Sequence, residues 1–415
     1  MSSLPVAPPL ATPAGTAPAA GPRRLQVPHL TERPEPFEAV LRKLTQRFAL
    51  AAERHDRAGS FPFENFAELH RHGLVAAVVP LAAGGGGANL ATARRIVSAV
   101  ARGEPATALV LTMSFLQHRL VGRGDSRWSP RLRDELFRSA VADGALVNAL
   151  RVEPALGSPA RGGLPGTVAR RTPEGWRLSG HKLYTTGIPA LRWLAVWGRS
   201  DDAEPLVGTF LVPRDAPGIR VIESWDHLGL RASGSHEVVF EDVLLPLDHA
   251  VDIRPMAEWA GGPEADPYAW MIALLGALYD GVAQAARDWL LGFLAQRAPG
   301  SLGAPLATVP RVQQSVGEID ALLWANDALL NGLVQATDAG NPPSATESGL
   351  VKFNVTGNAI RAVDLALQLT GNHGLSRSNP LERHYRDVLC SRIHTPQNDS
   401  ILQAAGKLAF DRAAA

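Results

Sequence analysis

Two stretches of this 415-residue chain hold side chains able to do chemistry. The first is Arg392-Ile393-His394-Thr395-Pro396. Histidine is the one side chain whose ordinary pKa lies near neutrality, so His394 is a candidate proton relay. Pro396 pushes Thr395 out of helical space and holds this stretch as a loop. The second is Gly180-His181-Lys182-Leu183-Tyr184-Thr185-Thr186, followed by Arg231-Ala232-Ser233-Gly234-Ser235. It combines a phenol ring, hydroxyls and a guanidinium, groups able to stack and to donate hydrogen bonds. The lone cysteine, Cys390, is expected to pack as a small apolar group, and with no second cysteine a reducing, cytoplasmic setting is expected.

Several chemistries are excluded. His236-Glu237 begins like a zinc-protease helix, but Phe240 stands where the second histidine belongs, so no metal site is expected. Gly234-Ser235-His236 lacks the frame of a nucleophile elbow. Gly84-Gly85-Gly86-Gly87 has no Lys-Ser/Thr after it and reads as a flexible break, not a phosphate loop. No glycine fingerprint of a dinucleotide fold follows a strand pattern. Basic and acidic residues balance at +1 and are mixed throughout, which argues against nucleic acid or a membrane surface as partner. The apolar run Trp270–Leu278 is stopped by Tyr279 and Asp280, short of membrane length.

The elements that must position these residues follow from periodicity. Residues 1–34 are rich in Pro, Ala, Gly and Thr and are expected to be a disordered leader. Residues 35–144 show helical spacing: Phe37 to Ala51, a helix opened by Ser60 as N-cap, then Leu90 to Val121 and Pro130 to Val141. Residues 145–254 change to short strands at Val147–Val152, Gly166–Ala169, Trp176–Leu178, Leu194–Gly198, Val207–Val212 and Glu237–Phe240, separated by turn residues. Residues 255–415 return to helix in four segments, about Tyr268–Arg297, Thr308–Asp338, Glu347–Thr370 and Leu381–Ser391. The fold class is therefore α+β: an N-terminal helical domain, a middle β-barrel or sandwich, and a C-terminal four-helix bundle.

The motifs resemble the acyl-CoA dehydrogenase superfamily. Gly371-Asn372-His373-Gly374 and Pro380-Leu381-Glu382-Arg383-His384-Tyr385-Arg386-Asp387 match its C-terminal Gly-Gly-x-Gly and Pro-x-Glu-Arg-x-x-Arg-Asp. Val152-Glu153-Pro154-Ala155-Leu156-Gly157-Ser158, Gly180–Thr186 and Leu228–Val243 match its middle domain. The resemblance implies a flavin, with Val152, Ser158, Tyr184, Thr186, Arg231 and Ser233 beside it. Val152 replaces a hydroxyl residue and offers only its backbone N–H, and Tyr184 replaces the usual Trp. In family dehydrogenases a glutamate abstracts the substrate's α-proton. Its C-terminal position here falls on Thr395 or Pro396, and its alternative falls near Met271, with no carboxylate before Asp280.

The spacing from Arg383-His384-x-Arg386 to His394 resembles the flavin-dependent monooxygenase branch (dibenzothiophene monooxygenase-like). That branch uses reduced flavin from a separate reductase with O₂. The resemblance makes His394 and Ser233 the catalytic pair. The family's tail-binding Arg is kept as Arg297, but Leu302-Gly303 and Pro310 replace its Phe-Gly and Gln. This favours reduced FMN, while Gln368, with Gly371 and Asn372, leaves FAD as the alternative. Phe115, His118, Trp270 and Thr395 are candidates for a small-molecule substrate pocket. The resemblance also implies a homotetramer, with Leu274 and Leu365 in its seam. The function expected is a two-component monooxygenase; the alternatives are an acyl-CoA dehydrogenase or oxidase with a displaced base, and a flavin- or acyl-binding scaffold without catalysis.

Overall fold

The computed structural model describes residues 36–157, 162–259 and 262–414. The expected leader lies outside them. Five helices come first: α1 Phe37–Ala58, α2 Phe63–Arg71, α3 Leu90–Gly103, α4 Pro105–Val121 and α5 Pro130–Asp143. Val40, Leu41, Leu44 and Phe48 make one buried stripe along α1. The run expected from Leu90 to Val121 is two helices. Glu104 is extended there, and its carboxylate accepts the N–H groups of Ala106 and Thr107 while Pro105 starts α4. Ser60 is not the N-cap of α2; its hydroxyl bonds His55 Nδ1 at 2.8 Å.

The four-glycine stretch is not a loose break. Gly85, Gly86 and Gly87 N–H groups donate to the carbonyls of Pro80, Ala76 and Val79. A Cβ on Gly85 or Gly86 would collide with the backbone of Val79 or Ala77, so the glycines permit close packing.

The middle of the chain is one sheet: β1 Leu146–Leu150, β2 Val168–Thr172, β3 Gly175–Lys182, β4 Leu191–Ser200, β5 Leu206–Pro213, β6 Ile219–Ile222, β7 Glu237–Leu245 and β8 Ala250–Pro255. Its order is β6-β7-β3-β2-β4-β5-β8, with β1 pairing parallel to β4. Ser114 on α4 bonds the Val147 carbonyl at 2.9 Å, which fixes the helical layer on β1.

The last part is α6 Ala265–Gln296, α7 Pro310–Asp338, α8 Ala345–Thr370, α9 Asn372–Leu375, α10 Leu381–Leu389 and α11 Asn398–Ala414. Ser344 and Glu347 form a capping box, which starts α8 before its first apolar residue. Asp338 at the end of α7 accepts the N–H groups of Leu90 and Ala91 and so caps α3. By length and composition α6 would pass for a membrane span. Yet 83% of its most apolar window is buried in the fold, Tyr279 and Asp280 included. Leu274 and Leu365 are consumed inside the chain's own core, so they are not a free subunit seam.

Candidate active site at the junction of sheet and bundle

Where β3 ends, a buried ion pair fixes the chain. The Lys182 ammonium donates to Glu153 at 2.6 Å and to the Trp197 carbonyl at 2.5 Å. Glu153 also accepts from Gly166 N (2.6 Å), Thr167 N (3.0 Å) and Thr167 Oγ1 (2.6 Å). Burial pulls the lysine down to about 8, and Glu153 opposes that shift. Beside the pair, Leu183 N–H donates to Val152 O at 2.9 Å. The Val152 N–H itself has no main-chain acceptor among the described residues.

The next residue, Tyr184, has φ +55°. This left-handed conformation costs a non-glycine residue about 1–2 kcal/mol. It throws the phenol ring outward, where it is 54% exposed. Trp225 and His227 stack at 3.7 Å and meet the tyrosine ring edge-on at 6.4 and 6.0 Å. Behind this aromatic face runs a line of hydroxyls: Thr186 to Ser235 at 3.0 Å and Ser235 to Ser233 at 2.8 Å. Asn148 holds the Thr186 carbonyl at 2.9 Å.

Arg231 does not face this line freely. Its Nε donates to Asp56 O (2.8 Å), and its Nη1 to Asp226 (2.8 Å) and His227 O (3.1 Å), so it clasps α1 to the loop. It also lines a cleft of about 230 Å³ with His227, Leu228, Asp56 and Arg386.

That loop is docked on α10. Arg386 donates to Leu228 O at 2.9 Å, and Leu230 N–H donates to Asp387 at 2.7 Å. Burial raises the Asp387 carboxyl to about 7. A Cβ on Gly229 would run into the Arg386 carbonyl. Gly229→Ala is therefore expected to cost about 1–3 kcal/mol through forced separation, read as a lower urea midpoint. Cys390, just after α10, is half-buried with its thiol pushed up to about 12, which makes it unreactive near neutrality.

The loop beyond α10 carries His394. Tyr279 of α6 bonds its Nδ1. The buried tyrosine is raised well above its usual range, so it donates and Nδ1 accepts. The hydrogen of the neutral imidazole then sits on Nε2. Desolvation, with the Lys352 ammonium adding to it, pulls His394 down to about 4. This corrects the expectation of an imidazole titrating near neutrality. Lys352, wholly buried on α8, donates to the carbonyls of Ser391 (3.2 Å), His394 (2.9 Å) and Pro396 (2.7 Å), and the Thr395–Pro396 peptide is cis.

The structure does not join every candidate. No hydrogen bond links His394 to Ser233; they share only the α10 base. Phe115 and Trp270 are core residues, and Arg119 lies over the Trp270 ring at 5.2 Å. His118 is fully buried against Phe137, and both its ring nitrogens lack partners. Thr395 is exposed, and Ser158 lies outside the described residues. Gln368, Gly371 and Asn372 are exposed, and Gln368 bonds Asp364 at 2.9 Å. Phe293 packs on His373 at 5.3 Å, which brings the Arg297 end of α6 to the same corner. Asp280, the first carboxylate after Met271, is spent inside the bundle on Asn326 (2.9 Å) and Gln284 (2.6 Å). Sequence patterns did not mark Trp225, His227, Asn148, Tyr279 or Lys352. A lysine in the apolar stripe of α8 was the one available signal.

The acyl-CoA dehydrogenase N-terminal, middle and C-terminal domain families match residues 31–123, 151–243 and 273–399. The chain belongs to the acyl-CoA dehydrogenase family. Within it, the chain is 33% identical to the putative acyl-CoA dehydrogenase YdbM of Bacillus subtilis, over 89% of this chain and 95% of that one. It is 29% identical to L-evernosamine nitrososynthase from a Micromonospora species, over 90% of each. A solved structure of KijD3 with FMN and dTDP-3-amino-2,3,6-trideoxy-4-keto-3-methyl-D-glucose superposes with a TM-score of 0.78. It is 28% identical and covers 91% of this chain and 95% of that one.

Three imidazoles, the buried His118 and His384 and the part-buried His394, give this family member a pH signature. His118, His384 and His394 lie at about 4, 3 and 4 in the folded chain. Near their ordinary value of about 6.5 the unfolded chain takes protons that the fold refuses. Their contribution to stability is complete above that value and is lost as pH falls toward 4. Asp387, raised to about 7, opposes them by one proton. His118→Leu removes an unpartnered buried polar group, so it is expected to raise the urea midpoint at pH 5 more than at pH 8.

Proposed function

We propose that the chain is a flavin-dependent monooxygenase that takes reduced FMN from a separate flavin reductase and oxygenates a small organic molecule at nitrogen or sulfur. One observation carries this reading. Beside the position of the dehydrogenase base, which falls on Thr395 or Pro396, stands a neutral imidazole, His394, fixed by Tyr279. Among the described residues no carboxylate is bonded to His394, Thr186 or Ser233.

The residues present fit a flavin. Tyr184 is held in a strained conformation that exposes its ring, with Trp225 and His227 against it. The Thr186–Ser235–Ser233 hydroxyls and the Val152 N–H are donors beside that face. When bound, the reduced flavin supplies the electrons that activate O₂. Tyr184 walls the ring, and Thr186 and Val152 orient its polar edge. His394 offers its Nε2–H as a fixed hydrogen-bond donor, with Tyr279 holding the tautomer. FMN is favoured over FAD because Leu302 is exposed and Pro310 only begins α7. The nitrososynthase relative and the amino-sugar complex of KijD3 support an amine as the atom oxidised. A homotetramer is proposed on family grounds.

The test is to load the protein with chemically reduced FMN, add ¹⁸O₂ and an amine or sulfide panel, and analyse products by mass. Label in an N- or S-oxygenated product supports the reading; none across the panel overturns it. The second reading, an acyl-CoA dehydrogenase, is favoured by the 33% identity to the putative dehydrogenase. Anaerobic bleaching of bound flavin by an acyl-CoA would select it.

A further inference from the structure

A second polar site lies away from the aromatic face, at the first turn of α10. A groove of about 270 Å³ runs there between α1, α3, α6 and α10. Arg383 and His384 line one wall, with Thr45 and Ala49 of α1 opposite. Arg383 is only 7% exposed, yet it makes no hydrogen bond or ion pair with the described residues, and its Nε is wholly buried without a partner. His384 is 4% exposed, and its Nδ1 is likewise unpartnered.

The surrounding carboxylates are already spent. Asp288 at the rim pairs with Arg102 and Arg287. Asp387, one turn along, accepts the Leu230 N–H and reaches Arg383 only through space, with no hydrogen bond between them. No side chain caps the start of α10, so its first N–H groups add positive potential at the same place. A buried guanidinium without an acceptor is costly, and a planar or tetrahedral oxyanion is what its donor fork matches.

We propose that this groove binds a small oxyanion, a phosphate or carboxylate group, through the Arg383 guanidinium, with His384 and the uncapped turn of α10 as further donors. Bound there, the anion ties α10, the common base of the Gly229 loop and the His394 loop, to α1 and α3. This does not depend on the oxygenase reading.

The experiment is calorimetric titration of the full chain, flavin bound, with inorganic phosphate and separately with acetate, with chloride holding ionic strength constant. Saturable binding of one anion per chain is expected, and the stronger of the two names the class. Arg383→Met should abolish it. Arg383→Lys should weaken it at least about tenfold, since the fork is lost and the charge kept. Arg220→Gln, on the exposed edge strand β6, should leave it intact. Because Arg383→Met removes a buried group and could misfold, Ala49→Glu is the second variant. It places a resident carboxylate in the groove, so it should raise Tm without phosphate and remove the phosphate response. Heat no greater than dilution in the unaltered chain, or saturable binding that survives Arg383→Met or Ala49→Glu, overturns the proposal.

Discussion

His394→Ala is expected to lower kcat/KM for oxygenation by about 10²–10³, the usual worth of one positioned hydrogen-bond donor. FMN affinity should change only a few-fold, because Tyr184, Thr186 and Val152 supply the flavin face. Tyr279→Phe should cost less, roughly tenfold, by leaving Nδ1 free and the two tautomers mixed. Its activity should stay as flat from pH 6 to 9 as the parent's with respect to this group, because burial and Lys352, not Tyr279, keep the imidazole neutral there. Steady-state rates with a coupled reductase, run from pH 6 to 9, give both numbers. A His394→Ala enzyme within threefold of the parent sinks the assignment. Equal loss of activity and of flavin binding would show that the loop only holds the cofactor.

Glu153→Ala should be the most damaging single change for stability. It leaves the Lys182 ammonium fully buried with one carbonyl as partner, and it frees the Gly166 and Thr167 N–H groups. Breaking a buried pair from one side costs about 3–5 kcal/mol. Removing both charges leaves no stranded ion, so Glu153→Ala with Lys182→Met should recover part of that loss. Urea unfolding followed by far-UV circular dichroism measures the cycle. A single mutant within 1 kcal/mol of the parent would mean that the pair is not what anchors the Val152 strand segment. Flavin affinity should fall with it, since Tyr184 takes its exposed pose directly after this anchor.

The order of helical, strand and helical regions was legible because the apolar period changes near residue 145 and again near residue 265. What escaped was short or polar. β6, Ile219–Ile222, and β8, Ala250–Pro255, stand at the ends of the sheet's main order, and Asp252 and Arg254 break the apolar alternation of β8. α11 buries only Ile401 and so shows no stripe. The break between α3 and α4 was hidden because apolar spacing continues across Glu104-Pro105. The break is a capping event, not a change of pattern.

The site was half legible. Tyr184, Thr186 and Ser233 lie in motifs whose spacing survives, and the structure links Thr186 to Ser233 through Ser235. Trp225 and His227 follow no motif, because their stacking depends on how the loop before β7 folds back on Tyr184. Arg231 was read as facing the ring, but the carbonyl of Asp56 and the carboxylate of Asp226 claim it. His394 was read with an ordinary titration, and only three dimensions reveal Tyr279 and Lys352 beside it.

The grip of Lys352 on the Ser391–Pro396 turn has a consequence for solvent conditions. Its ammonium is answered by three carbonyl dipoles and, among the described residues, by no carboxylate. Mobile ions neutralise surface pairs but scarcely reach a fully enclosed one. Concentrated salt should therefore unfasten the exposed Arg–carboxylate pairs around the rim while the imidazole stays where it is, and the chemistry should outlast the loosening of the shell.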